Sequence, residues 1–340
     1  MDYIGSKTKL NAWIFGELAK HIPKDEWNGM CFMDGCAGSC SVSKYALVQG
    51  FKKVISNDLF EFSSAIIKGF SNFDTIRDGF DITRPQRKKD IEIQRHIDHI
   101  NSIDGTKGFF HDKYSESAGR KFFTDDNAMR IDAARTYIDT ISNRKVKEYI
   151  LYIALEGLSA VMNTTGVQAA FLKKIKPRAL NPFFVKIQPS YKGSVKVCNR
   201  NLIEIAQIVC DVLYIDPPYN SRQYGPNYHL YETFIKYDNP ELITEVAGLR
   251  DWHSESKSDF CSKRTCADVF RKVIEKSSAK LTMISYSSDG LMPENELFSL
   301  CKETYPNTLI CKRKQNRYKA DNSRKNDESV LEEFLFVLKK

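Results

Sequence analysis

The chain has 340 residues, 42% of them hydrophobic, and carries 51 Lys and Arg against 43 Asp and Glu, a formal charge of +8. That length supports one large domain, or a domain with an insertion, around an ample core. No run of about 18 apolar residues occurs, no charged-then-apolar leader opens the chain, and its nine cysteines lack both disulfide-framework and C-x-x-C spacing. A membrane span, a secreted disulfide scaffold and a structural zinc are therefore not expected, and free thiols in the cytoplasm are.

Strand and helix signals alternate from the start. Leu10, Trp13, Ile14 and Leu18 are spaced for a helix over 7–20. A short buried strand is predicted at 31–33, a helix over 41–49 closed by Gly50, a second strand at Val54-Ile55 and a helix over 61–70. This is the opening of a doubly wound α/β sheet. The rhythm resumes with a strand at 195–197, a helix over 202–209 and the apolar strand 212–215. A strand at 281–286, a helix over 293–302 and two antiparallel strands, 308–311 and 334–338, complete it.

The middle has another texture. Residues 84–128 are polar with little periodicity, and two long helical patterns follow between Met129 and Met162. We expect a core of 1–71 and 195–340 carrying a largely helical insertion over 72–194. Basic runs at 84–89, 173–178 and 312–325, the last with seven Lys or Arg, favour a polyanionic partner. His96 and His99 share a helical face without a thiol or carboxylate cluster, so they are read as solvated, with no metal site.

The chemistry concentrates at Asp216-Pro217-Pro218-Tyr219, directly after the strand 212–215. Two prolines fix φ and supply no N–H, which leaves nearby carbonyls free to accept. A carboxylate, a proline carbonyl and a tyrosine face together suit an exocyclic amine lying flat on the ring, as in an amino-bearing nucleobase. Upstream, Gly35, Ala37, Gly38 and Ser39 form a small-residue loop before a helix, which lets backbone approach a bulky ligand. Asp58 follows the second strand at the spacing of a ribose-binding acid.

Asp216 to Tyr219 resembles the catalytic motif of S-adenosylmethionine-dependent amino-group DNA methyltransferases. The Asp form is that of the adenine-N6 branch, where the cytosine-N4 branch more often has Ser. The first ten residues resemble the N-terminal cofactor motif of the Dam-like (alpha) group, and residues 31–40 its glycine-bearing loop, with Cys40 where a further glycine is common. The run from Asp216 to Glu232 is closer still to modification enzymes of type II restriction systems. The resemblance implies an α/β, Rossmann-like S-adenosylmethionine-dependent core with an inserted, largely helical recognition region. Its catalytic residues would be Asp216, Pro217 and Tyr219, acting on adenine N6 of a base flipped out of duplex DNA. Cofactor contacts would come from Tyr3 and Lys7, read as one helical turn apart, from Asp34, Gly35, Cys36, Gly38, Asp58 and Asp216, and from Asn201, where the family often has Asp. Asn220, Arg222, Tyr224, Tyr228, Arg317 and Lys319 would meet the DNA, and Ser285-Tyr286 resembles a motif beside the target pocket. A restriction endonuclease of the same specificity is an implied partner. The rival readings are cytosine-N4 methylation, RNA adenine methylation, and a catalytically idle DNA-binding regulator.

Overall fold

The computed structural model describes residues 1–74, 88–254, 256–316 and 330–340. Arg317 and Lys319 lie outside the described residues, as do most of the basic runs 84–89 and 312–325. The chain divides into two compact units: 5–64, 193–224 and 255–340 form one, and 1–4, 65–192 and 225–254 the other.

The first unit holds a seven-stranded sheet in the order β3-β2-β1-β4-β5-β7-β6. Its strands are β1 (Cys31–Asp34), β2 (Lys53–Asn57), β3 (Ser194–Cys198), β4 (Val212–Ile215), β5 (Leu281–Ser287), β6 (Leu309–Asn316) and β7 (Val330–Lys339). The first five are parallel, and β7 runs antiparallel between β5 and β6. The inner parallel strands β1, β2, β4 and β5 are largely buried, which is why they read as short apolar runs, whereas the edge strand β3 alternates and is partly exposed. On one face Met33, Ile55, Leu213, Ile284 and Phe336 pack with Val269, Phe270 and Val273 of helix Cys266–Lys276 and with Leu297 of helix Glu294–Thr304. On the other, Phe32 stacks with Phe15 of helix α1 (Asn11–Ala19) at 5.4 Å, and Trp27 with Phe51 at 5.1 Å. Strand order reverses between β1 and β4. The crevice at the carboxyl ends of those two strands is where open α/β sheets bind ligands.

The second unit is mainly helical, with α4 (Lys88–Ser102), α5 (Phe109–Tyr114), α6 (Asp125–Asp139) and α7 (Arg144–Val161), numbered after α2 (Ser41–Gln49) and α3 (Glu61–Asn72) of the chain's opening. Thr124 and Asn143 cap α6 and α7, accepting from Asn127 N and Val146 N. Residues 84–128 show little periodicity, yet α4 and α5 lie there. Ile93, Ile97 and Ile100 are the buried stripe of α4, and a stripe that narrow is lost among charges.

Residues 225–254, expected in the catalytic core, pack in this helical unit. The Arg135 guanidinium donates to Phe234 O at 2.8 Å and Ile235 O at 3.0 Å, Gln168 Oε1 accepts from Leu230 N at 2.7 Å, and the Tyr114 hydroxyl donates to Gly248 O at 2.9 Å. After Tyr219 the chain enters a helix, Tyr224–Lys236, kinked at Tyr228 (φ −135°, ψ 20°). Pro226 sits in its first turn, where proline lacks only an N–H that would be unbonded anyway.

Candidate active site

Asp34 ends β1, the Gly35–Ser39 loop follows it, and Asp216 follows β4 at the crevice where strand order reverses. Lys7 Nζ lies 2.9 Å from Asp216 Oδ1, with the two side chains 5% and 15% exposed. Burial alone would lower the Lys7 ammonium, but the carboxylates of Asp216 and Glu333 hold it above its ordinary value. Burial raises the Asp216 carboxyl, and Lys7 offsets part of that rise. The cation is therefore charged at neutral pH and aimed at the key acid. Tyr3, by contrast, precedes a turn at Ile4–Gly5 where Gly5 has φ +83°, so it does not share a helical turn with Lys7. It stacks on Tyr228 within the helical unit, 4.2 Å between centroids.

Pro217 is buried and Tyr219 half-buried. The Tyr219 ring stands edge-on to Tyr286, at 6.3 Å and 77°, and its carbonyl accepts from Leu291 N at 2.7 Å. Gly290 closes on Tyr286 so tightly that an added Cβ would lie 2.1 Å from the ring. Tyr286 and Gly290 thus brace the ring that follows the two prolines. Beyond it, Asn220 Oδ1 accepts from Arg222 N at 2.9 Å, and Gln223 exchanges bonds of 2.9 and 2.8 Å with Ser258. The Arg222 side chain is exposed and Tyr224 half-buried. Tyr228 is fully enclosed, its hydroxyl accepting from Ile4 N at 2.7 Å. That is a packing position rather than a surface facing DNA.

The loop after β1 is held by its own amides. Gly35 N donates to Tyr214 O and Ala37 N to Asn57 O, both at 2.8 Å, and Gly38 N donates to Asp58 Oδ2 at 2.7 Å. Asp58 Oδ1 accepts from Phe60 N at 3.1 Å. Burial raises the Asp58 carboxyl, and these amides pull it back. Cys40 has a left-handed backbone, φ 58° and ψ 24°, which explains why glycine is the usual solution there: a side chain at such φ costs roughly 1–2 kcal/mol. Its Sγ compensates with contacts to Ser63 O at 3.1 Å and Ser63 Oγ at 3.2 Å.

Asp34 is 1% exposed. Its Oδ2 accepts from Ser43 N at 3.0 Å and Ser43 Oγ at 2.7 Å, while its Oδ1 has no partner among the described residues. Burial pushes this carboxyl up to about 7, against the Ser43 bond and helped by Asp216 and Asp58. The Cys36 thiol is likewise raised by burial, then by Asp58 and Asp216, and stays neutral. Asn201 is exposed and caps the helix Leu202–Ile205 through its own Oδ1, 3.0 Å from Ile203 N.

Three residues here escaped the sequence reading. Asn57 Nδ2 bridges Gly35 O and Arg200 O, both at 3.0 Å, joining the loops after β1 and β3. Its signal was an Asn ending a buried strand. Ser43 anchors Asp34, and Glu333 reaches the site from a strand remote in sequence. Among the described residues no His, Cys, Asp and Glu group could hold a metal, all nine cysteines are free, and no helix is long and apolar enough to cross a membrane. His96 bonds the Tyr137 hydroxyl at 2.8 Å and His99 packs on the same ring at 4.1 Å.

A sheet with its reversal beside an acid, two prolines and a braced tyrosine defines an amino-group methyltransferase, an enzyme drawing on a methyl donor. Residues 3–300 match the model of the D12 class N6 adenine-specific DNA methyltransferases, and the chain belongs to that family. It is a site-specific DNA methyltransferase that acts on adenine N6. It is 34% identical over 344 residues to the type II methyltransferase M.CviAII of Paramecium bursaria Chlorella virus 1, covering 99% of this chain and 98% of that one. It is 30% identical over 356 residues to the type II methyltransferase M.NlaIII of Neisseria lactamica, covering 100% and 99%. With M.FokI of Planomicrobium okeanokoites the identity is 32% over 363 residues, covering all of this chain but 53% of the relative.

Proposed function

We propose that the chain is the modification arm of a type II restriction system, transferring the methyl group of S-adenosylmethionine to N6 of an adenine flipped out of a specific duplex sequence. The observation that carries the reading is a half-buried Asp216 carboxylate, oriented by Lys7 and followed by two prolines and a braced Tyr219. The adenine amine is a poor nucleophile because its lone pair is delocalised into the ring. Acceptors at Asp216 and the Pro217 carbonyl favour the pyramidal nitrogen in which that pair is released, so positioning and fixed dipoles supply the catalysis. Tyr219 offers the extruded base a stacking face.

The residues around the crevice suit the donor. When bound, S-adenosylmethionine supplies a methyl group on a sulfonium cation. Asp34, Asp58 and Asp216 outnumber Lys7, a balance that attracts a cation, and the Asp34 Oδ1 has no donor among the described residues. A Cβ at Gly35 would approach Leu202 Cδ1 to 2.7 Å and Tyr214 O to 3.2 Å, so the loop lies close against β4. We assign cofactor contact to Asp34, Gly35, Cys36, Gly38 and Asp58, with Asn201 as an outlying member. Lys7 orients Asp216 first and reaches the donor's carboxylate only by sharing that bond. Asn220, Arg222 and Tyr224 meet the DNA, as do Arg317 and Lys319, while the helical region over 72–194 reads the target. Phosphate contacts position without specifying sequence. A cognate endonuclease completes the system.

Digestion of duplex DNA treated with the protein and S-adenosylmethionine should yield N6-methyl-2′-deoxyadenosine, and N4-methyl-2′-deoxycytidine in its place would overturn the reading. Sequencing DNA from cells making the protein should find the mark in one short motif. Marks spread over unrelated sequences would remove the restriction-system role.

A further inference from the structure

Glu333 has no part in the chemistry above, yet it belongs to the same unit and the same face of the sheet as Asp216. Register fixes that face. Asp34 stands opposite Tyr214, and Tyr214 opposite Met283. Met283, Ser285 and Ser287 then stand opposite Val337, Leu335 and Glu333 on β7. Side chains two apart along a strand share a face, so Asp216, two residues past Tyr214, and Glu333 project to one side near the carboxyl ends of β4 and β5.

Glu333 is 7% exposed, and its Oε2 has no hydrogen-bond partner among the described residues. The charged groups acting on it are the Lys7 ammonium and the Asp216 carboxyl, with Tyr214 and Tyr219 the other titratable groups that sense it. Arg313 stands opposite in the β6 register but is exposed. A buried, unbonded carboxylate is costly, whereas its protonated form is much less so. Two carboxyls, one buried and one half-buried, around one ammonium reach neutrality only when one of them holds a proton. Lys7 makes its ion pair with Asp216 and no hydrogen bond to Glu333 among the described residues, so the proton falls to Glu333.

We propose that Glu333 is a positioning residue of the methyl-transfer site: by carrying a proton beside the Lys7–Asp216 pair, it keeps Asp216 the ionised acceptor. The proposal rests on Asp216 accepting the target amine. Burial places the Glu333 carboxyl at about 7, opposed by Lys7 and reinforced by Asp216, which agrees with the geometry.

The test follows isotope-labelled glutamate carboxyls by NMR against pH in the full-length protein. The wild type should show one glutamate titrating near pH 7, a signal absent from Glu333→Gln. In Asp216→Asn its midpoint should move to lower pH, because the neighbouring anion is gone. That arm does not depend on Glu333→Gln folding or on any variant being active. In single-turnover methylation, Glu333→Gln should lose the wild-type inflection near pH 7. An unmoved midpoint in Asp216→Asn, or superimposable pH profiles, would overturn the proposal. Normal methylation by Asp216→Asn would overturn the acceptor reading itself, even if the two titrations proved coupled.

Discussion

Replacing Asp216 by Ala should damage both stability and turnover, and the two effects can be separated. The Lys7 side chain is 5% exposed and Asp216 15%, so the substitution strands an ammonium in a largely dry site. Breaking a buried pair from one side costs about 3–5 kcal/mol. Glu333 remains within electrostatic reach of Lys7, which puts the expected loss near the lower bound, about 3 kcal/mol. Loss of a fixed transition-state acceptor should separately remove ~2.7–4 kcal/mol of catalysis, roughly a hundred- to thousandfold in rate. Adding Lys7→Met removes the stranded charge, so the double variant should regain much of the stability and none of the activity. Urea unfolding of the wild type, both single variants and the double reads the coupling as non-additivity, and single-turnover methylation of a duplex reads the chemistry. Additive stabilities with Asp216→Ala within about 1 kcal/mol of wild type would mean the pair is not formed in solution. Turnover within tenfold of wild type would remove Asp216 from the mechanism.

Glu333 makes stability pH-dependent with a definite sign. Its folded-state value of about 7 exceeds the ordinary 4.5, so the native protein keeps a proton that the unfolded chain releases. Stability is then greatest below the ordinary value and falls as pH rises toward 7, by at most about 3 kcal/mol; the advantage of Glu333→Gln over wild type should grow across that window, and a constant difference in denaturant midpoint would contradict it. Gly69→Ala would bring a Cβ to 2.3 Å from Tyr152 Cβ and 2.6 Å from Glu148 O, an overpacking expected to cost about 1–3 kcal/mol, and thermal unfolding indistinguishable from wild type would refute that packing. Tyr219→Ala should weaken target-base capture by about 1–3 kcal/mol while keeping duplex binding. Wild type should bind a mispaired target adenine more tightly than a paired one, and equal affinities would count against base extrusion.

The parallel core was legible because fully buried strands announce themselves as short apolar runs such as Val212–Ile215, each ending in a polar residue at the crevice. The helix Ser41–Gln49 was readable to the residue, since Gly50 closes it with φ 112°. Helices α4 and Tyr224–Lys236 were not, one for its narrow apolar stripe and the other for its glycine and proline. In the site, local motifs revealed Asp216, Tyr219 and the Gly35 loop. Contacts between distant segments stayed hidden: nothing in the order of residues pairs Lys7 with Asp216, sets Asn57 between two loops, or brings Glu333 to the acid of β4. Tyr228 carries the same lesson in reverse, because a tyrosine near a catalytic motif reads as a ligand contact until its burial against Tyr3 is seen.

The strand order also bears on how the protein comes into being. Of the seven strands of the sheet, β7 comes last in chain order and is flanked on both sides, by β5 and β6. The sheet therefore cannot close while residues 330–339 are still within the ribosome, whereas every segment of the helical unit has been made once Ser254 is added. At about 5–20 residues per second, the helical unit has seconds in which to fold before the catalytic sheet can. Glu333 arrives with that strand, so the nascent chain gains this buried acid only as its sheet is sealed.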